Sequence, residues 1–332
     1  MTDCFRPLVQ HGLARPNTAC SLAGQRLWFT HAERLGRDGL SEIIPAKSIP
    51  TDILSRLTAP RADIAGLRMD DPQIMGILNV TPDSFSDGGR YFDLSDALAS
   101  ARAMVEAGVA MIDVGGESTR PGSQTVPDGE EIARTEPVIA ALRAELPVPI
   151  SIDTRKSAVA HSALEAGADL VNDVSGFTYD PELAPLCAKT AAPVCVMHAQ
   201  GDPATMQNDP HYENVVLEVY DFLANQVARL IKLGIPSDRI VIDPGIGFGK
   251  TQAHNLAILQ NLSVYHGIGC PILLGVSRKR FIGTIGKEPR ADARAPGSIA
   301  VALAGLAQGV QFLRVHDVAE TAQAVRLWQA VQ

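Results

Sequence analysis

From about residue 74 onward one unit recurs eight times: a short apolar run, a polar or glycine end, a glycine-rich loop, then a helical stretch. The runs are IMGILN ending at Asn79, VAMID at Asp113, VPISID at Asp153, ADLVND at Asn172–Asp173, APVCVMH at Met197–His198, RIVID at Asp243, CPILLG at Gly275 and VQFLRVH at Arg314–His316. They follow one another at about 34 residues, the size of one βα repeat. Runs that are apolar throughout, not alternating, are those of parallel strands covered on both faces. Leu94–Ala107 closes on Gly108, and Ser157–Ala166 closes on Gly167, as helices with a C′ glycine do. His211–Leu233 places apolar residues at Val215, Val219, Phe222, Val227, Leu230 and Ile231 before Gly234. The alternation predicts an α/β fold, a (β/α)8 TIM barrel over residues 74–332. A doubly wound sheet is the competing layout. It needs a glycine-rich phosphate turn after the first strand, and NVTPDSFSDGG is not GxGxxG.

Residues 1–73 do not share the repeat. Ser21–Thr30 reads as a hairpin around Gly24-Gln25, and Thr51–Leu57 as a short helix. This N-terminal extension is expected to be peripheral, plugging or flanking the barrel bottom. Charged residues at 20% and apolar residues at 46% place the chain among ordinary globular proteins, not disordered ones. A net charge of −8 without a basic run argues against nucleic acid or an anionic membrane as partner. No apolar stretch reaches the length of a transmembrane helix, and MTDCFRPLVQHGLARP lacks the layout of a signal peptide. Five cysteines without CxxC spacing argue against a disulfide framework and a zinc site, and lead us to expect a cytoplasmic protein.

In such barrels the strand ends and βα loops converge on one mouth. Here they supply Asn79, Asp113, Asp153, Asn172, Asp243, Lys279, Arg314 and His316. One aspartate at a strand end is often no more than the cap of the next helix. So many together are costly to bury unless used. Asn79, Asp113, Asp153, Asn172 and Asp243 offer acceptors and amides, suited to a flat heterocycle with a guanidine-like edge beside a lactam. Arg120, Lys279, Arg314 and His316 are cationic, and the ends of strands seven and eight are a common phosphate site. The mouth is therefore expected to be bipartite, a polar cup for a ring and a cationic rim for an anion. Other motifs fail. Pro244–Thr251, PGIGFGKT, has Pro where a P-loop has its first Gly, and GIGFG is not the dinucleotide fingerprint. GESTR lacks the last Gly of a nucleophile elbow. His198 and His211 have no zinc context, and His198 reads as a strand-end packing residue.

At the level of whole motifs the chain resembles dihydropteroate synthase. The resemblance rests on ILNVTPDSFSDGG (Ile77–Gly89), IDVGGESTRPG (Ile112–Gly122), SIDTRK (Ser151–Lys156), NDVSG (Asn172–Gly176), DPGIGFGK (Asp243–Lys250), SRK (Ser277–Lys279) and RVHDV (Arg314–Val318), in order over roughly residues 74–332. It implies condensation of 6-hydroxymethyl-7,8-dihydropterin diphosphate with 4-aminobenzoate to 7,8-dihydropteroate and diphosphate, a step of folate biosynthesis that uses Mg2+. It implies Asn79 as the metal ligand, and Thr119 with Arg120 as diphosphate contacts. It implies Asp153, Asn172 and Asp243 as pterin readers with Asp113 behind them, and Lys279 as a bridge from pterin to leaving group. Arg314 and His316 are then the diphosphate clamp, Phe248 and Met197 the walls against the ring, and Gly275 a further substrate contact. Ser277, with the loops around Phe85 and Pro121, falls on the aminobenzoate side. The loops Val80–Tyr91 and Gly115–Asp128 are expected to close as lids. A homodimer and sensitivity to sulfonamides belong to the same expectation.

Two departures stand out. Arg280 follows Lys279 where many members of the family have Ser, and the extension exceeds the short lead usual in bacterial members. Two rival readings are a pterin-binding methyltransferase, which has no diphosphate to hold, and a non-catalytic pterin-binding paralogue. The SRK and RVHD cations and the ESTRPG loop favour the synthase over both.

Overall fold

The computed structural model of the chain describes residues 3–81, 94–118, 123–201 and 206–332. In the extension the elements are β1 (Cys4–Pro7), β2 (Cys20–Ser21), β3 (Trp28–Phe29), β4 (His31–Leu35), β5 (Ser41–Pro45) and α1 (Thr51–Thr58). β2 and β3 pair antiparallel, Cys20 opposite Phe29, so the hairpin read from Ser21–Thr30 is present. The antiparallel sheet β1-β4-β5 has no counterpart in the sequence reading. Its strands HAERL and SEIIP are largely exposed and carry no apolar alternation that would announce them. Phe5, Leu22, Phe29, Ile53 and Leu57 form a small core beneath it.

The barrel follows as β6 (Gln73–Asn79), α2 (Leu94–Ala107), β7 (Met111–Gly115), α3 (Asp128–Glu145), β8 (Ile150–Asp153), α4 (Ser157–Glu165), β9 (Leu170–Asp173), α5 (Leu183–Thr190) and β10 (Val194–Met197). It continues with α6 (Val215–Lys232), β11 (Ile240–Asp243), α7 (Gln252–Gln260), β12 (Leu273–Leu274), α8 (Arg280–Ile285), α9 (Ala295–Leu306), β13 (Phe312–Val315) and α10 (Val318–Ala330). The eight strands are parallel in the order β11-β10-β9-β8-β7-β6-β13-β12. A parallel bridge between Ile242 and Ile272 brings the two end strands together, so the sheet curls into the expected barrel. Two details differ from the sequence reading. α6 begins at Val215, not His211, because the Asn214 side chain accepts the Leu217 amide at 3.2 Å and caps the helix there. Ile231 is exposed, and Leu223 takes a place on the buried face.

The extension docks on the floor of the barrel and against α6 in its outer ring. The Ser263 hydroxyl donates to the Pro7 carbonyl at 2.9 Å, and the Gln25 amide to the Gly309 carbonyl at 2.9 Å. Arg37 forks onto Asp221 of α6 at 2.6 and 2.7 Å. Ile64 and Met69 join Met75, Met111, Leu170, Cys195, Val241, Leu273 and Phe312 in one buried apolar layer that forms the barrel floor.

Candidate active site

Parity sets the cup. Met111, Leu170, Val241 and Phe312 face the floor layer, so residues two further along each strand face inward one layer higher. These are Asp113, Asn172, Asp243 and Arg314. Asp153 pairs in register with Gly115 and Asn172, above Asp113. The register Ile77 to Asp113 and Asn79 to Gly115 puts Asn79 at the same upper level. All five acidic or amide groups of the expected cup are therefore at one mouth, and Asp113, Asp153, Asn172 and Asp243 are buried.

The sequence reading places Arg314 on the rim. The structure turns its guanidinium into the cup: Nε donates to Asp113 Oδ2 at 2.6 Å and Nη2 to Asp153 Oδ2 at 2.7 Å. The reason is electrostatic, since two neighbouring carboxylates out of water need a counter-charge. One guanidinium still leaves the pair with excess negative charge. Burial pushes the Asp153 carboxyl up to about 7, against the pull of Arg314, and Asp113 adds to the rise. The two carboxylates hold the Arg314 guanidinium well above its ordinary range despite its burial. Each carboxylate keeps one oxygen, Oδ1, that is buried with no hydrogen-bond partner among the described residues. The Asn172 amide donates to Asp113 at 3.4 Å. Asp173, of opposite parity, is spent on the Ser175 and Phe177 amides at 2.7 and 2.6 Å and shapes the following turn.

Glycines leave room beside these groups. A Cβ on Gly115 would lie 3.5 Å from Asn79 Oδ1 and 3.8 Å from Asp153 Oδ2, and one on Gly275 3.8 Å from Asp243 Oδ2. Asp243 accepts the Gly245 amide at 2.7 Å, and burial raises its carboxyl to about 6. Met197, buried at the end of β10, stands in register with Asp243. Lys279 Nζ lies 4.3 Å from the centroid of the Phe248 ring, a cation–π pair at the edge of the cup. Phe248 also borders a cavity of about 290 Å3 with Arg155, Val174, Tyr179 and Met206, all in loops after strand ends.

The cations of the last two strands are tied together. Ser277, expected on the aminobenzoate side, accepts the His316 amide at 3.1 Å and lies 3.0 Å from His316 Nδ1. Arg278, which has a left-handed backbone at φ +59°, forks onto Asp317, with Nε at 3.1 Å. That clamp joins the loop carrying Lys279 to the loop carrying His316, and sequence reasoning passed over it although both residues lie inside the SRK and RVHD motifs. Arg280 is exposed at the start of α8. Thr119, Arg120, Phe85, Pro121 and much of the two expected lids lie outside the described residues.

A second omission is a buried four-charge network. Glu117 accepts from Arg155 Nε at 3.0 Å, from Lys156 Nζ at 2.7 Å and from the Val126 amide at 2.7 Å. Lys156 also reaches Glu131 at 2.6 Å. These groups bind the far half of the loop after β7 to the top of β8. Its signal was Glu117 in GGESTRPG and Arg155 and Lys156 in SIDTRK, charges the sequence reading left without a role. His198 packs 4.9 Å edge-on against Phe222, as expected of a packing residue. Its imidazole is pushed down to about 2 by burial and by Lys250, so the ring stays neutral.

Comparison with known proteins agrees with this geometry. A model of the pterin binding enzyme family matches residues 75–316. The dihydropteroate synthase of Synechocystis sp. is 46% identical over 258 residues, 78% of this chain and 89% of that protein. The Xanthomonas albilineans dihydropteroate synthase with 4-aminobenzoic acid superposes with a TM-score of 0.77 at 43% identity, covering 82% of this chain and 98% of that one. The same enzyme in complex with 7,8-dihydropteroate gives a TM-score of 0.74 at 40% identity, over 82% and 99% of the two chains. With a matched family model over most of the barrel and relatives aligned over nearly their full length, the chain belongs to the dihydropteroate synthases of the pterin binding enzyme family.

Proposed function

We propose a division of labour within the reaction of this family, in which 6-hydroxymethyl-7,8-dihydropterin diphosphate and 4-aminobenzoate become 7,8-dihydropteroate and diphosphate. The carrying observation is the pair of buried Oδ1 atoms on Asp113 and Asp153 that have no hydrogen-bond partner among the described residues, held by one guanidinium beside the space left by Gly115. Unpaired buried acceptors are destabilising until donors arrive. A pterin edge supplies N–H donors. Asp153, Asn172 and Asp243 then read the ring, Asp113 supports them through Arg314, and Met197, Phe248 and Gly275 bound the ring's faces.

The bond that breaks joins the pterin methylene to the diphosphate oxygen. The bond that forms joins that methylene to the aminobenzoate nitrogen, and one N–H bond of that nitrogen breaks, its proton going to solvent. Departure of diphosphate leaves positive charge on the ring, which the Asp113 and Asp153 carboxylates stabilise, and negative charge on the leaving group. Lys279, Arg314 and His316 receive that negative charge, with Thr119 and Arg120 as further contacts. Ser277 acts by holding the His316 ring.

The donor set suits Mg2+ as a partner of the substrate. Among the described residues no group of three or more His, Cys, Asp or Glu could hold a metal. Asn79 offers one amide oxygen, a hard donor that needs diphosphate and water to complete an octahedral shell. Bound there, Mg2+ would neutralise charge on the diphosphate. The metal should therefore bind well only with diphosphate present, and tight Mg2+ binding by the free protein would remove Asn79 from this role. A cytoplasmic homodimer is part of the same reading, and a one-chain molar mass in solution would delete the dimer. The reading as a whole is tested by diphosphate release from the pterin diphosphate in Mg2+. Release should require 4-aminobenzoate. Methyl transfer to or from a pterin in place of diphosphate release would overturn it.

A further inference from the structure

We propose that Lys250 is a positioning residue for pterin recognition: its ammonium is the hub around which the Pro244–Gly249 loop folds, and that loop delivers Asp243 and Phe248 to the cup. The inference rests on the reading of Asp243 and Phe248 as ring contacts. Lys250 is 2% exposed. Its Nζ donates to the carbonyls of Gly245 at 2.9 Å, Phe248 at 3.0 Å and His198 at 3.2 Å, and lies 2.8 Å from His198 Nδ1. An ammonium has three protons and no acceptor. Four neighbours therefore use it up, and nothing of it is left for substrate. A buried ammonium is costly unless it is fully used, and here it is used on a loop.

The sequence of that loop, GIGFGK, looks like one built to cradle phosphate with its amides. The structure inverts that arrangement. The loop turns its carbonyls inward onto its own lysine. The Gly245 amide is taken by Asp243 at 2.7 Å, the Gly247 amide by Asn255 at 2.7 Å and the Phe248 amide by the Gly245 carbonyl at 3.2 Å. Gly245 and Gly249 have left-handed backbones, at φ +67° and +60°. A Cβ would stand 1.9 Å from the His198 carbonyl oxygen at the first and 2.4 Å from that of Gln200 at the second. Only a bare backbone can lie this close to the 198–200 segment, and Lys250 ties the two together. Two consequences reach the cup. The Gly245 amide fixes the rotamer of Asp243, and the Phe248 ring is presented beneath Lys279 Nζ.

The test is steady-state kinetics of Lys250→Met in the full chain, with the Michaelis constants for pterin diphosphate and for 4-aminobenzoate measured separately. The pterin constant should rise by about 10- to 100-fold, the scale of a misplaced binding group, while the 4-aminobenzoate constant stays within about twofold. Lys250→Gln, which restores two N–H donors, should fall between wild type and Lys250→Met, and it carries the same comparison if the methionine variant does not fold. Folded Lys250 variants with a wild-type pterin constant would overturn the proposal. Asp243→Asn is run beside them. A raised pterin constant there with none in the Lys250 variants sinks the Lys250 role alone. An unchanged constant in Asp243→Asn removes the ring-reading role of Asp243 and the Lys250 proposal with it.

Discussion

The floor and the mouth of the barrel are built on the same strands, two residues apart, and differ in kind. Met111 stands below Asp113, Leu170 below Asn172, Val241 below Asp243 and Phe312 below Arg314. The lower members are apolar and buried, and Ile64 and Met69 of the extension complete their layer. Asp113, Asn172 and Asp243 above them are buried too and the Arg314 side chain is 20% exposed, yet Asp113 and Asp153 each keep an acceptor without a donor among the described residues. One layer is complementary to itself, and the other is complementary to something absent from the chain. Close packing below offsets the cost of unsatisfied groups above. Stability and catalysis should therefore separate by layer, even between neighbours on one strand.

The largest effect is expected at Arg314. Arg314→Ala takes a donor from the leaving group and the counter-charge from two carboxylates. Its kcat should fall by about 10²–10³-fold, and its urea midpoint should fall as well, because breaking a buried ion pair strands the remaining charge. Arg314→Lys keeps the charge without the planar fork and should lie between. Unchanged kcat and KM in Arg314→Ala would remove the anion clamp. Two residues down the same strand, Phe312→Ala should cost about 3–5 kcal/mol of stability and leave kcat per folded molecule near wild type. A tenfold or greater loss of kcat in fully folded Phe312→Ala would break the contrast between layers.

A smaller effect, of opposite sign, is expected for stability at Asp153. Its folded value of about 7 lies above the ordinary 3.8, so burial favours the protonated form. The stability that this shift contributes is fully present below about pH 4 and is lost as the pH rises through about 7. Asp153→Asn should therefore melt higher than wild type at pH 8, by about 2–4 °C, and the gap should close toward pH 4. A lower melting temperature for the variant at pH 8 would contradict the electrostatic account of the cup. The smallest effect belongs to the periphery. Arg37 and Asp221 are about a quarter exposed, so Arg37→Ala should cost about 1 kcal/mol or less and leave both Michaelis constants alone. A kinetic change there would mean that the extension acts on the mouth.

The barrel was legible because parallel strands covered on both faces write themselves as continuous apolar runs, and because each run stops at the residue that turns to the mouth. Asp113, Asp153, Asn172 and Asp243 were legible for the same reason. The sheet β1-β4-β5 was not. Its strands are short and largely exposed, with no apolar alternation, and Cys4 finds Leu35 across a separation that no local pattern records. Nor could sequence tell where the Arg314 guanidinium would point, since that depends on two carboxylates from other strands. The same holds for Lys250 and for the Glu117, Lys156 and Glu131 network. Lys250, Glu117 and Lys156 were visible inside the motifs and Glu131 was not, and the partners of all four are set by how the loops cross at the mouth.

The most direct test of the mouth as a ring-reading cup is kcat/KM for the pterin diphosphate in Asp153→Asn, at saturating 4-aminobenzoate and neutral pH. The substitution keeps the shape and turns an acceptor into an amide that can face ring donors. A fall of about 5- to 150-fold, the equivalent of 1–3 kcal/mol for a mispaired buried donor, is predicted, with the 4-aminobenzoate Michaelis constant unchanged. A wild-type kcat/KM in the folded variant would contradict it and remove Asp153 from ring reading.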